Sequence, residues 1–229
     1  KSQIFMAKGQ LDSASVYAKK AFFGLPNNDL HASTFMKIIN QTGDRKSLEE
    51  AYELLVSKNS ITNWRNYLVV AVRLYPTGDK SLIFKAKYAV SLFPEDETIQ
   101  KLYVEIAIGQ KAIYEANAYS NKALVFFNQA DYINAVLNFE KAFELNPLEF
   151  SYFENAATAN YLLGNLEKSL EQINMVINEL NPLNGKCEYI KALIFIKMQD
   201  PIGACPLLKT SLDSGHFPAN ETYAQYCNQ

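Results

Sequence analysis

Histidine, tryptophan, cysteine, glycine and proline are all scarce in this 229-residue chain: 2, 1, 3, 9 and 8 residues respectively. Two histidines, His31 and His216, lie far apart in the sequence, which argues against a histidine metal cluster or histidine-based acid–base catalysis. There is no glycine-rich phosphate loop, nucleophile elbow or paired-carboxylate motif. Charge of one sign is also missing: 22 basic against 24 acidic residues leave a net −2, which argues against nucleic acid as a partner and against a polybasic membrane anchor. The longest apolar stretch, Tyr67–Tyr75, is interrupted by Arg73 and is far shorter than the ~20 residues of a membrane span, so direct membrane insertion is not expected. No cofactor is implied, and the expectation is a protein that is not an enzyme. The chain opens at Lys1 without an initiator Met or a signal segment, and so reads as a piece of something longer.

What is present is a repeat. A small or flexible residue followed by a turn-prone polar one recurs at Gly9-Gln10, Gly43-Asp44, Gly78-Asp79, Ala130-Asp131, Gly164-Asn165 and Gln199-Asp200. The steps are 34, 35, 52, 34 and 35 residues, so one step alone is odd, and it equals one and a half periods. Self-similarity at this spacing marks a helical array. Seven residues before each marker stand Ser2, Met36, Ala71, Ala123, Ala157 and Ala192, mostly small side chains that let helix backbones approach. Five after it come Ala14, Leu48, Ile83, Ala135, Ser169 and Ala204. The flanking segments carry the i, i+3, i+4 apolar spacing of amphipathic helices, and prolines fall where a second helix would end. The unit is helix, tight turn, helix, loop.

These features resemble the tetratricopeptide repeat. The clearest unit runs from Ala116 to Glu149, with Tyr119, Ala123, Phe126, Ala135, Phe139, Ala142 and Pro147 in the family's positions. Phe150 to Pro182 is a second, in which Asn160 replaces the usual aromatic and the second helix runs one residue long; Gly185 to His216 is a third. The resemblance implies an all-α, right-handed superhelix (α-solenoid) of about six helix-turn-helix units, with one extra or extended helix in the middle and a C-terminal capping helix over Ala219–Cys227. Residues 1–94 form a divergent sub-stack. Residues 95–115 are an inserted half-repeat, read as part of one long helix from about Thr98 to Asn128, kinked near Gly109 or else broken there into two. Residues 116–229 form the second sub-stack and its cap.

The resemblance also implies a groove lined by the first helix of each unit. Its positions select Asn117, Ser120, Asn121, Leu124, Phe127 and Asn128 in the clearest repeat. In the next they select Ser151, Glu154, Asn155, Thr158, Tyr161 and Leu162, and in the third Lys186, Tyr189, Ile190, Leu193, Ile196 and Lys197. Amides and hydroxyls interleaved with aromatics suit an extended peptide, so a protein or peptide segment is the expected partner. Asn121 and Asn155 are candidates for its backbone, or else repeat-consensus residues. Lys186 matches one member of the family's carboxylate clamp, but Ile190 stands where the clamp's arginine belongs; the apolar strip Tyr189, Leu193 and Ile196 points instead to an apolar segment, or to a groove filled by a neighbouring helix.

Two other readings stay open. The Gly24–His31 region resembles repeat tails of bacterial O-antigen ligase or polymerase proteins, which implies a soluble repeat domain of a larger membrane-bound enzyme. Self-assembly into a homo-oligomer through exposed repeat ends is the other. Cys205 and Cys227 flank the last turn at similar distances and would lie side by side on antiparallel helices. They are either bridged, which implies an oxidising compartment such as the periplasm, or two free thiols.

Overall fold

The computed structural model describes residues 1–25, 28–57, 60–180 and 182–227. Among these there are helices and turns and no strand. The helices are α1 (Ser2–Ala7), α2 (Leu11–Gly24), α3 (Asp29–Thr42), α4 (Arg45–Val56), α5 (Ile61–Leu74), α6 (Lys80–Leu92), α7 (Glu97–Ile108), α8 (Gln110–Asn128), α9 (Tyr132–Leu145), α10 (Phe150–Leu163), α11 (Leu166–Met175), α12 (Lys186–Lys197), α13 (Pro201–Asp213) and α14 (Ala219–Cys227). No helix among the described residues is long and apolar enough to cross a membrane. Part of the Gly24–His31 region lies outside the described residues.

The repeat marker has a physical meaning in the backbone. The first residue of every marker adopts positive φ, from 57° at Ala130 to 84° at Gly164. The second is the N-cap of the helix that follows. Asp44, Asp79, Asp131 and Asp200 accept hydrogen bonds from the N–H groups of Ser47, Leu82, Asn134 and Gly203. The left-handed residue turns the chain back, and the cap starts the antiparallel partner. Two markers place a side chain in that left-handed conformation, Ala130 at φ 57° and Gln199 at φ 66°. Relieving the Cβ conflict there outweighs the extra chain entropy of glycine. Ala130→Gly and Gln199→Gly are therefore each expected to raise stability by about 0.5–1 kcal/mol in urea titration; a loss of stability would remove the strain argument.

The expected continuous helix across residues 98–128 does not form. It stops at Ile108, and α8 begins at Gln110. Gly109 sits between them at φ 87°, ψ 147°, a conformation open essentially to glycine alone. The α7 end is held by Gly78, whose N–H donates to Ile106 O at 2.9 Å. A Cβ on Gly109 would lie 3.0 Å from the Thr77 methyl. Compact units divide at 110/111, so α7 packs with residues 1–110 and not as part of an insert at 95–115.

In the first unit one buried cluster runs from Ala14 to Ile106, with Phe22, Phe35, Trp64 and Tyr67 fully enclosed. The Asp96 carboxylate caps α7 through Ile99 N and pairs with Arg65 of α5. In the second unit the cores are small and sequential. Ala123, Ala135, Phe139, Ala156 and Ala159 join α8, α9 and α10. Ala157, Ile173, Val176, Cys187 and Ile190 join α10, α11 and α12. Ala192, Ala204, Leu208 and Ala219 carry the packing to the cap. The long second helix of the middle repeat accommodates its extra residue as a π-helical turn, Val176–Leu180, at the end of α11. Asn160, where an aromatic is usual, is buried and donates from Nδ2 to Gln172 Oε1 at 2.9 Å, and Gln172 donates to Glu140 Oε1 at 2.8 Å. A satisfied polar chain through α9, α10 and α11 thus replaces a ring.

Candidate functional site

The residues selected from the first helices of the clear repeats fall on α8, α10 and α12. On α8, Asn117, Asn121, Leu124 and Asn128 are exposed. Phe127 is half-buried, edge-on to Tyr132 with ring centres 5.3 Å apart. On α10, Ser151, Asn155, Thr158 and Tyr161 are half-buried, and Glu154 is buried. On α12, Lys186, Tyr189 and Leu193 are half-buried, whereas Ile190 is buried in the core. Ile190 therefore cannot meet a ligand, and neither can Ser120, which is buried as well.

Hydrogen bonds join these helices. Tyr152 OH of α10 donates to Asn117 Oδ1 of α8 at 2.7 Å. Lys186 Nζ of α12 donates to Glu154 Oε2 at 2.8 Å and to Asn155 Oδ1 at 3.1 Å. The other Glu154 oxygen accepts from Cys187 Sγ at 3.4 Å. Thr158 spends its hydroxyl on Glu154 O within α10. Lys197 donates to Tyr161 O at 3.2 Å with its ammonium over the Tyr161 ring at 4.8 Å.

This arrangement changes the expectation for Lys186. A lysine poised for a ligand carboxylate would present an unpaired ammonium; this one is already answered by a buried carboxylate of its own chain. The sequence reading placed Glu154 and Lys186 on one surface but missed their pairing. The spacing of 32 residues, one turn short of alignment between successive units, is the signal that was there to be read. Chemistry around the pair is quiet. Burial pushes the Cys187 thiol up, with the Glu154 carboxylate adding to it, so this cysteine stays protonated. Burial, reinforced by the Lys186 ammonium, holds the His216 imidazole below its ordinary value, and its ring lies tilted against that of Tyr189, centres 5.1 Å apart. Among the described residues no group of His, Cys, Asp and Glu could hold a metal ion.

At the far end of the second unit, Cys205 of α13 and Cys227 of α14 have their sulfurs at 2.06 Å and their Cα atoms 5.6 Å apart. Cys187 is the free, buried cysteine. In the first unit a polar cluster gathers around Glu49 of α4. It accepts from Tyr67 at 3.3 Å, from Lys85 at 2.8 Å and from Tyr75. Burial works to push the Glu49 carboxyl up, but these partners outweigh it and hold it below the usual range. The ion pair ties α4, α5 and α6 together and presents no nucleophile.

Comparison with known proteins agrees with the repeat register. Residues 116–147 match the family model of the tetratricopeptide repeat. No curated protein matches the chain. Among solved structures, it is similar to the complex of the TPR2AB domain of yeast Sti1 with pHSP90, at 16% identity over 98% of this chain and 92% of that one, with a TM-score of 0.44. A tetratricopeptide repeat protein from Parabacteroides merdae is 17% identical over 98% and 95%, TM-score 0.42. The TPR domain of P58(IPK) is 18% identical over 98% and 62%, TM-score 0.45.

Proposed function

We propose that this tetratricopeptide-repeat chain is a non-enzymatic scaffold that binds an extended protein segment along α8, α10 and α12. The observation that carries this is the row of amides on successive first helices. Asn117, Asn121 and Asn128 are exposed on α8, and Asn155 follows on α10. Exposed amides spaced along a helix can pair with the N–H and C=O groups of an extended backbone, while Leu124, Tyr161, Tyr189 and Leu193 offer apolar contact to its side chains. Because Lys186 is neutralised by Glu154 within the protein, the segment it suits is uncharged and partly apolar, not an acidic chain end.

The test is affinity capture with the 229-residue chain, repeated with Asn121→Ala and Asn155→Ala combined. The bound partner is expected to fall at least tenfold in the double variant, with thermal stability nearly unchanged because neither side chain is in a core. Equal recovery by both forms would overturn the assignment.

A further inference from the structure

Between two second helices of the second unit lies a cavity of about 250 Å³, and none of the groove positions on α8, α10 and α12 lines it. Glu140, Phe143 and Glu144 of α9 form one wall, at the i, i+3, i+4 spacing of a single helix face. Lys168, Glu171, Gln172 and Met175 of α11 form the facing wall, again on one face. Phe153 of α10 completes the lining, its ring stacked on that of Phe143 with centres 4.0 Å apart.

Part of this lining is already occupied with itself. Gln172 donates to Glu140 Oε1 at 2.8 Å and accepts from Asn160, and Lys168 Nζ pairs with the same Glu140 oxygen at 2.7 Å. What remains is the aromatic pair, the Met175 thioether, 39% exposed, and the exposed carboxylates of Glu144 and Glu171. Glu144 is held by Lys141, itself exposed and outside the cavity, and Glu171 has no ion pair among the described residues. Three carboxylates thus line the cavity against one ammonium, and with Lys141 counted one negative charge is still unanswered. Among the described residues no acidic group is arranged to hold a metal ion.

An apolar floor under an acidic rim matches a cation on an apolar stem. The volume is below the ~300–1,000 Å³ of sites for drug-sized ligands and gives room for one side chain. Arginine suits it better than lysine. Its flat guanidinium stacks on aromatic rings, pairs with carboxylates through two parallel N–H bonds, and gives up water more readily than an ammonium. Free arginine would bring its own carboxylate toward Glu144 and Glu171, whereas an arginine within a chain does not. An apolar face of a second copy would strip water from Glu171 without answering its charge.

We infer that the α9–α11 cavity takes one arginine side chain from a basic segment of a partner protein, its guanidinium paired with Glu144 and Glu171 and its stem on Phe143, Phe153 and Met175. This contact is separate from the α8–α10–α12 face, and the two readings fail independently because they share no residue.

Met175 is one of four methionines, so carbon-13 labelling of the methionine methyl groups provides a probe inside the cavity. The labelled 229-residue chain is titrated with acetylated, amidated Gly-Ala-Arg-Ala-Gly. Counterparts carrying lysine, or citrulline as the neutral isostere, and free arginine are titrated alongside. The arginine peptide is expected to shift the Met175 methyl signal and to bind at least fivefold more tightly than the citrulline peptide. Glu144→Gln with Glu171→Gln should weaken it at least fivefold; both side chains are exposed, so thermal melting should be retained. Asn121→Ala with Asn155→Ala should leave it unchanged. Equal affinity for the citrulline peptide overturns the inference, as does indifference to the glutamine variants. So does tighter binding of the lysine peptide or of free arginine. A Met175 shift that follows protein concentration without any peptide would give the cavity to a second copy and overturn it too.

Discussion

Lys186→Ala is expected to destabilise the second unit by about 3 kcal/mol, although lysine is among the residues most easily lost from a surface. The reason lies with its partner. The Glu154 side chain is only 4% exposed, and among the described residues Lys186 supplies the one cation paired with it. Removal leaves a buried carboxylate with a thiol for company, and the Asn155 carbonyl loses its donor too. An uncompensated buried charge costs about 3–5 kcal/mol; the lower figure applies because the Lys186 side chain is 35% exposed and water reaches the site once it is gone. Adding Glu154→Gln to Lys186→Ala should recover most of the loss, since a neutral amide needs no counterion. Urea titration of the three forms measures this. A loss below about 1 kcal/mol for the single variant, or no recovery in the double, would mean that the pair is an incidental surface contact.

How much of this was legible in the sequence depends on whether the cause was local. The markers were readable because one residue must reverse the chain and the next must cap a helix, and those demands act on residue type directly. The cap over Ala219–Cys227 was readable for the same reason, since a helical pattern follows a glycine and a proline. The break at Gly109 was not decided by the sequence, because a lone glycine in a helical pattern is tolerated in many helices. What breaks this one is the tertiary contact of the α7 end with the α5–α6 turn, through Gly78 and Thr77. Asn160 looked like an exception to the repeat because its partner, Gln172, lies on the next helix and its second partner, Glu140, on the previous one. The groove residues were placed on the right helices, but which were buried was not legible. Glu154 and Ile190 occupy groove positions by register, yet the first is buried against Lys186 and the second in the core, and a pattern of residue types does not say which groove positions a neighbouring helix covers.

At the end of the second unit, the bond between Cys205 and Cys227 is expected to hold the α14 cap in place in solution. Nine residues are too few for an isolated helix to persist in water. Noncovalently, α14 offers one buried residue, Ala219, the partly buried Tyr223, and a 3.4 Å contact between Thr222 Oγ1 and Tyr189 OH. The cysteines are 22 residues apart, and closing a loop of that size removes unfolded-state entropy worth about 3 kcal/mol. Cys227→Ser is therefore expected to lower stability by up to about 3 kcal/mol and to open α14 to proteolysis while α12 and α13 stay protected. Cys187 serves as an internal control, because it is fully buried and its thiol is held protonated, so the native protein should not alkylate there. Native alkylation without reductant should then label no cysteine, and reduction should add two labels, on Cys205 and Cys227. Two labels before reduction would dismiss the bridge, and with it the argument that the protein works in an oxidising compartment.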